Sequence, residues 1–182
     1  QAEPSHVTKI IKPEGLIIGT PLKSFPLEGH FLQMIGLKTP DNIFFIADSL
    51  FSEEIIGKYK ITFRTNIEKS LKTYTFLEKE KAQLFIPSHA EPTDNLNNLI
   101  DVNRGQIKEI NQKILKYCSK PATREDIIAN LVEDFRLQLS AIQYVLINTS
   151  ISAHISYLNE NQLLDFKFIE NKMYWESTDI SK

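Results

Sequence analysis

Over the first ninety positions the apolar residues fall in short runs, not in a helical stripe. GLIIGT (15–20), FLQMIGL (31–37), NIFFIA (42–47) and AQLFIP (82–87) are bounded by Gly, Pro, Asn and Asp, as strands closed by turns are. KTPDN (38–42) predicts a tight turn, so 31–47 reads as a hairpin. LIIG, FLQMIGL and IFFIA are apolar at successive positions, which predicts a sheet covered on both faces. One helix interrupts the strands. Thr65 and Glu68 make a capping-box pair, and Ile67, Leu71, Tyr74 and Leu77 follow on one face.

After Pro92 the period becomes helical. Leu96, Leu99, Ile100, Ile107, Ile110, Ile114 and Cys118 form the stripe of a long helix, with Asp94 near its start. Asn103 falls on that stripe and reads as a hydrogen-bonded core asparagine. SKPAT (119–123) breaks the helix and marks a domain boundary. Thr123 and Asp126 cap the next helix, whose Ile127, Ile128, Leu131 and Phe135 face inward. A third helix runs from about Ser140 to Asn159. LLDFKFI (163–169), a turn at Glu170–Asn171 and KMYWES (172–177) predict a closing hairpin. Helices followed by a hairpin resemble a winged-helix arrangement. No internal repeat is present.

Composition narrows the classes without choosing among them. The 182 residues are 42% hydrophobic and 24% charged, with a formal net charge of −2, ordinary for one or two folded domains. No apolar run approaches the roughly 18 residues of a membrane span, and the first ten residues do not pattern as a signal peptide. The single cysteine, Cys118, excludes a disulfide framework and fits a reducing cytoplasm. Nucleic-acid binding is disfavoured. From Pro121 to Lys182 there are five basic residues and nine acidic ones, and the helix from Ser140 to Glu160 holds no Lys or Arg, whereas phosphate contacts dominate such affinity.

Four histidines carry the candidate chemistry. His6 lies near the chain start and is assigned no role; His154 sits mid-helix and reads as a packed or partly exposed helix residue. His30 in FPLEGH leads into a strand, Asp48 follows NIFFIA, and His89 follows LFIP. Strand ends gather at one edge of an α/β sheet, where ligands bind. Two imidazoles and a carboxylate suit zinc, or iron and manganese less specifically. A cation would neutralise Asp48 at the end of its apolar strand. Asp48 also reads as the cap of a following turn, with Ser49 and Ser52 nearby.

PLEGH, then FFIADSLF, a helix, LFIPSHAEPTDN and a long helix, over residues 14–118, resemble the metallo-β-lactamase-fold hydrolases. In them a Pro-Gly-His-like element supplies a metal histidine, Gly-Asp or Ala-Asp at a strand end a bridging aspartate, and a later Gly-His or Ser-His the last histidine. Those roles fall on His30, Asp48 and His89, with Glu28 standing where proline is common. The resemblance implies an α/β fold: the second half of an αββα sandwich over 1–118, then a small helical winged-helix-like domain over 121–182. The leading His-x-His-x-Asp-His signature is absent from the sequence, so the chain reads as a fragment, a truncated form or a shortened relative.

For the intact protein the resemblance implies two zinc-type ions, His30 on one, His89 on the other and Asp48 on both. A metal-activated hydroxide would attack an ester, thioester, lactam or phosphodiester-like small-molecule substrate. The alternative is a non-catalytic relative with a vestigial metal half-site, acting as a structural or interaction module. Either reading leaves an apolar sheet face to be covered by the fold's first half or, in a homodimer, by a second copy.

Overall fold

A computed structural model describes residues 6–7 and 9–178. The first five residues, Thr8, and the end of the 121–182 unit with Asp179 and Lys182 lie outside the described residues. The chain begins with β1 (Gly15–Leu16), β2 (Lys23–Pro26), β3 (Ile35–Lys38) and β4 (Ile43–Phe51). Then come α1 (Glu53–Tyr59), α2 (Ile67–Lys79), β5 (Leu84–His89) and α3 (Asn97–Tyr117). The C-terminal part is α4 (Arg124–Asp134), α5 (Ala141–Glu160), β6 (Leu164–Ile169) and β7 (Lys172–Ser177).

The first five strands form one sheet in sequence order, antiparallel from β1 to β4 and parallel between β4 and β5. One face packs on α2 and α3 through Phe44, Ile46, Leu50, Tyr74, Leu77 and Ile100, all buried. On the other face Phe45 pairs with Leu37 and Ile86 and stays 43% exposed. The α3 helix runs through two clusters. Ile100 and Ile107 join the sheet core, while Ile110 and Ile114 join Ile127, Leu131, Ile151, Ile155 and Leu164. An isolated antiparallel bridge ties Ala122 to Trp175 of the β6–β7 hairpin. Among the described residues no helix is long and apolar enough to cross a membrane.

Several boundaries differ from the sequence reading, each for a tertiary reason. The 31–37 run is strand only from Ile35, because Gln33 has φ 57° and the chain loops first. Of 15–20 only Gly15–Leu16 pairs. The β2 strand, KSFP, has no apolar run of its own and is held by pairing with β1 and β3. The cap of α2 is Asn66, whose side chain accepts from Lys69 N; Thr65 is engaged elsewhere, its N–H donating to Gly29 O at 2.8 Å. Similarly, α1 buries none of its residues, so it leaves no apolar stripe to read. Its Ser52 cap and the acidic first turn, Glu53 and Glu54, favour its start.

A candidate metal centre

The loop between β2 and β3 is clipped onto α2, and that clip places His30. Glu28 O accepts from Thr73 Oγ1 (2.8 Å), and the Glu28 carboxylate meets Lys69 Nζ at 2.9 Å. Gly29, at φ 131°, lies directly against Ser70, and its carbonyl accepts from Thr65 N and Asn66 N. His30 therefore stands in this loop, five residues before β3, and not at the threshold of a strand.

Asp48 does not follow a strand either; it lies inside β4. Ala47 adopts φ 48° and the register with β5 shifts on both sides of it, a bulge that re-aims the next side chain. Ser52 caps α1 with its own hydroxyl and Ser49 Oγ donates to Ile46 O. Among the described residues no hydrogen bond makes Asp48 a cap. His89 is the last residue of β5 and stands opposite Phe51. Because β4 and β5 are parallel, their C-terminal ends meet at one edge.

The three side chains meet there. His30 Nε2 lies 3.3 Å from Asp48 Oδ2, and His89 Nε2 lies 3.6 Å from Asp48 Oδ1. His30 Nδ1 is 2.9 Å from Phe63 O. A carbonyl only accepts, so Nδ1 carries the proton, and in the neutral ring Nε2 presents a bare lone pair to a carboxylate oxygen. Burial holds the His30 imidazole below its ordinary pKa, against the opposing pull of Asp48. A tetrahedral zinc with bonds near 2.1 Å has ligand–ligand edges of about 3.4 Å, close to both separations. The donor chemistry and spacing thus fit a cation at each carboxylate oxygen. The ligand number falls short: each ion would have two protein donors, and among the described residues no three His, Cys, Asp or Glu side chains surround one centre.

Phe51 and Arg64 underlie the site, and neither was flagged by sequence. The Phe51 ring stacks on His89 (centroids 5.1 Å, interplanar angle 13°) and lies 5.4 Å from the Arg64 guanidinium. Arg64 is 1% exposed, and among the described residues no carboxylate pairs with it. Neutral acceptors hold it instead. Nε and Nη2 donate to Tyr74 Oη (3.1 and 3.0 Å), Nη2 also donates to Asn103 Oδ1 (3.0 Å), and Nη1 donates to Gln106 Oε1 (2.9 Å) and Thr62 Oγ1. Asn103 also exchanges bonds with the Phe51 backbone in both directions. That makes it a core asparagine and also a tie between α3 and the site edge. A lone arginine in the otherwise uncharged ITFRTN was the available signal.

Comparison with solved structures bears on the fold. A beta-lactamase domain protein from Burkholderia ambifaria superposes with a TM-score of 0.76 at 16% identity, over 97% of this chain and 54% of its own. The fold is that of part of a metallo-β-lactamase. A metallo-beta-lactamase family protein from Thermus thermophilus gives 0.71 at 13% identity, over 96% of this chain and 56% of its own. The chain spans about half the length of these neighbours. No protein-family model and no curated protein sequence matches it.

Proposed function

We propose that this chain supplies the His30–Asp48–His89 corner of a dinuclear, zinc-type hydrolase site. The observation that carries the reading is His30, whose Nδ1 is committed to Phe63 O while Nε2 faces Asp48 Oδ2 at 3.3 Å. A backbone carbonyl that fixes the tautomer and leaves the other nitrogen free is how ligand histidines are oriented. His30 and Asp48 would hold one ion, His89 and Asp48 the other. Bound metal would supply Lewis-acid activation of water and of the scissile carbonyl or phosphoryl group. The chain's own part is orientation: Phe63 O sets the His30 ring, the Phe51 stack sets His89, and the bulge at Ala47 presents both carboxylate oxygens. The substrate class is an ester, thioester, lactam or phosphodiester. The order α3, Ala122 bridge, α4, α5 and β6–β7 hairpin supports a winged-helix-like unit shaping the site. A cytoplasmic setting is the reading favoured by a single cysteine, Cys118, in the sequence.

Two donors per ion favour a second reading, a non-catalytic interaction module with a partial site. In both readings the Leu37–Phe45–Ile86 face takes a second sheet layer, either the fold's other half or a second copy. Equilibrium dialysis against zinc with elemental analysis tests the metal claim. Weak, saturable binding that Asp48→Asn abolishes is expected. Equal uptake by wild type and Asp48→Asn, or no uptake by wild type at millimolar zinc, overturns it.

A further inference from the structure

Beside His30 and His89 opens a cleft of about 590 Å3, a size that suits a small organic ligand. Its wall joins the end of α1 and the 61–63 segment to the stretch between α4 and α5. Tyr59 and Phe63 line it from the sheet side, Leu139 and Leu146 from the helical side. Tyr59, Leu139 and Leu146 are about two-fifths exposed, an apolar surface left to water beside a candidate reaction centre.

Beside neutral Thr62, Gln138 and Gln143, the fixed charges of the wall have one sign. Lys58 and Arg136 line the cleft and, among the described residues, no Asp or Glu does. Neither cation forms an ion pair among the described residues. Arg136 is also held at a backbone cost. Its N–H donates to Glu133 O and the Leu137 N–H to Val132 O, the pair of hydrogen bonds that closes a helix with a left-handed residue. Glycine is the usual residue there, yet arginine sits at φ 52°. The turn places the Arg136 side chain along the cleft wall.

We infer that the cleft binds an amphipathic anion. Its apolar chain lies on Tyr59, Phe63, Leu139 and Leu146, and its carboxylate or phosphate is held by Lys58 and Arg136. This rests on the hydrolase reading for the reaction, since the scissile bond would lie at the His30–His89 end, but not for binding.

Calorimetric titration of the chelator-treated chain tests it without metal, using decanoate, decyl phosphate, decanol and decyltrimethylammonium. Both anions bind, and whichever is tighter identifies the headgroup; the alcohol and the cation bind about tenfold more weakly, the effect of one charge-assisted contact. The Lys58→Gln/Arg136→Gln double variant loses at least that factor for the anions alone. Arg136→Gly weakens anion binding while raising the thermal midpoint, because glycine relieves the left-handed strain; a folding defect would lower both. Equal affinity for all four probes, or undiminished anion binding in the double variant, overturns the inference. Dialysis against zinc with Asp48→Asn involves neither cation, so the metal reading stands or falls separately.

Discussion

Replacing Gly29 with alanine perturbs the clip that places His30. An alanine Cβ would lie 2.5 Å from Ser70 N and 2.6 Å from Ser70 Cα, and against Ser70 Oγ as well. Two of these atoms are backbone of the first turns of α2, so no side-chain rotation relieves the overlap. The loop or the helix must move by close to an ångström. The backbone adds to this, because φ 131° is a conformation that residues with a Cβ adopt at about 1–3 kcal/mol. Overpacking of a tight contact costs about 1–3 kcal/mol. Together the change destabilises by about 2–6 kcal/mol. It also weakens the bonds from Thr65 N and Asn66 N to Gly29 O and turns His30 away from Asp48. Urea denaturation followed by circular dichroism reads the first effect, and the imidazole resonances of His30 read the second. Gly57→Ala is the control: it sits inside α1 with nothing within 4 Å of a new Cβ, so it stabilises by up to about 1 kcal/mol. A Gly29→Ala protein within about 0.5 kcal/mol of wild type, an ordinary surface value, with unmoved His30 resonances would refute the reasoning.

Two further outcomes follow from burial. His154 is fully buried, its Nδ1 is 2.7 Å from Asn111 Oδ1, and desolvation, with Arg64 nearby, lowers its pKa to about 3. The unfolded chain therefore binds the extra proton first, so stability falls as pH drops below about 6.5, by about 2 kcal/mol at pH 5. His154→Asn keeps a donor for Asn111 and removes the titration, and its urea midpoint between pH 7.5 and 5.0 should shift less than that of wild type. Equal shifts would exclude His154 as the source. If a second copy covers the sheet face at the exposed Phe45, light scattering should give a dimer mass, and Phe45→Lys a monomer with little change in unfolding midpoint. A wild-type monomer at all concentrations contradicts that.

The elements legible in the sequence are those whose signals lie within a turn of one another. Thr123 and Asp126 form the capping box of α4 in the structure as read, because both bonds join residues three apart. The stripe of α3 and the β6–β7 hairpin with its Glu170–Asn171 turn were legible for the same reason. Where a residue's partner is remote, the local reading misassigned it. Thr65 resembled a cap until Gly29 took its N–H. For His154 the local reading left packed and partly exposed open, and only the packing of the fold makes it fully buried.

Sequence by itself therefore determined the order and type of most elements and the lone thiol, and offered His30, Asp48 and His89 as candidate donors. Those properties depend on residue chemistry and on periodicities of two or 3.6 residues. Only the tertiary structure decided that Asp48 stands within β4 with one carboxylate oxygen toward each histidine. It alone placed Phe51 and the buried Arg64 beneath the site, and Lys58 and Arg136 along one cleft. The physical reason is range. A strand bulge, a buried cation and a cleft wall are each defined by groups far apart in the chain, and their pairing energies exist only once α2, α3 and α5 have packed.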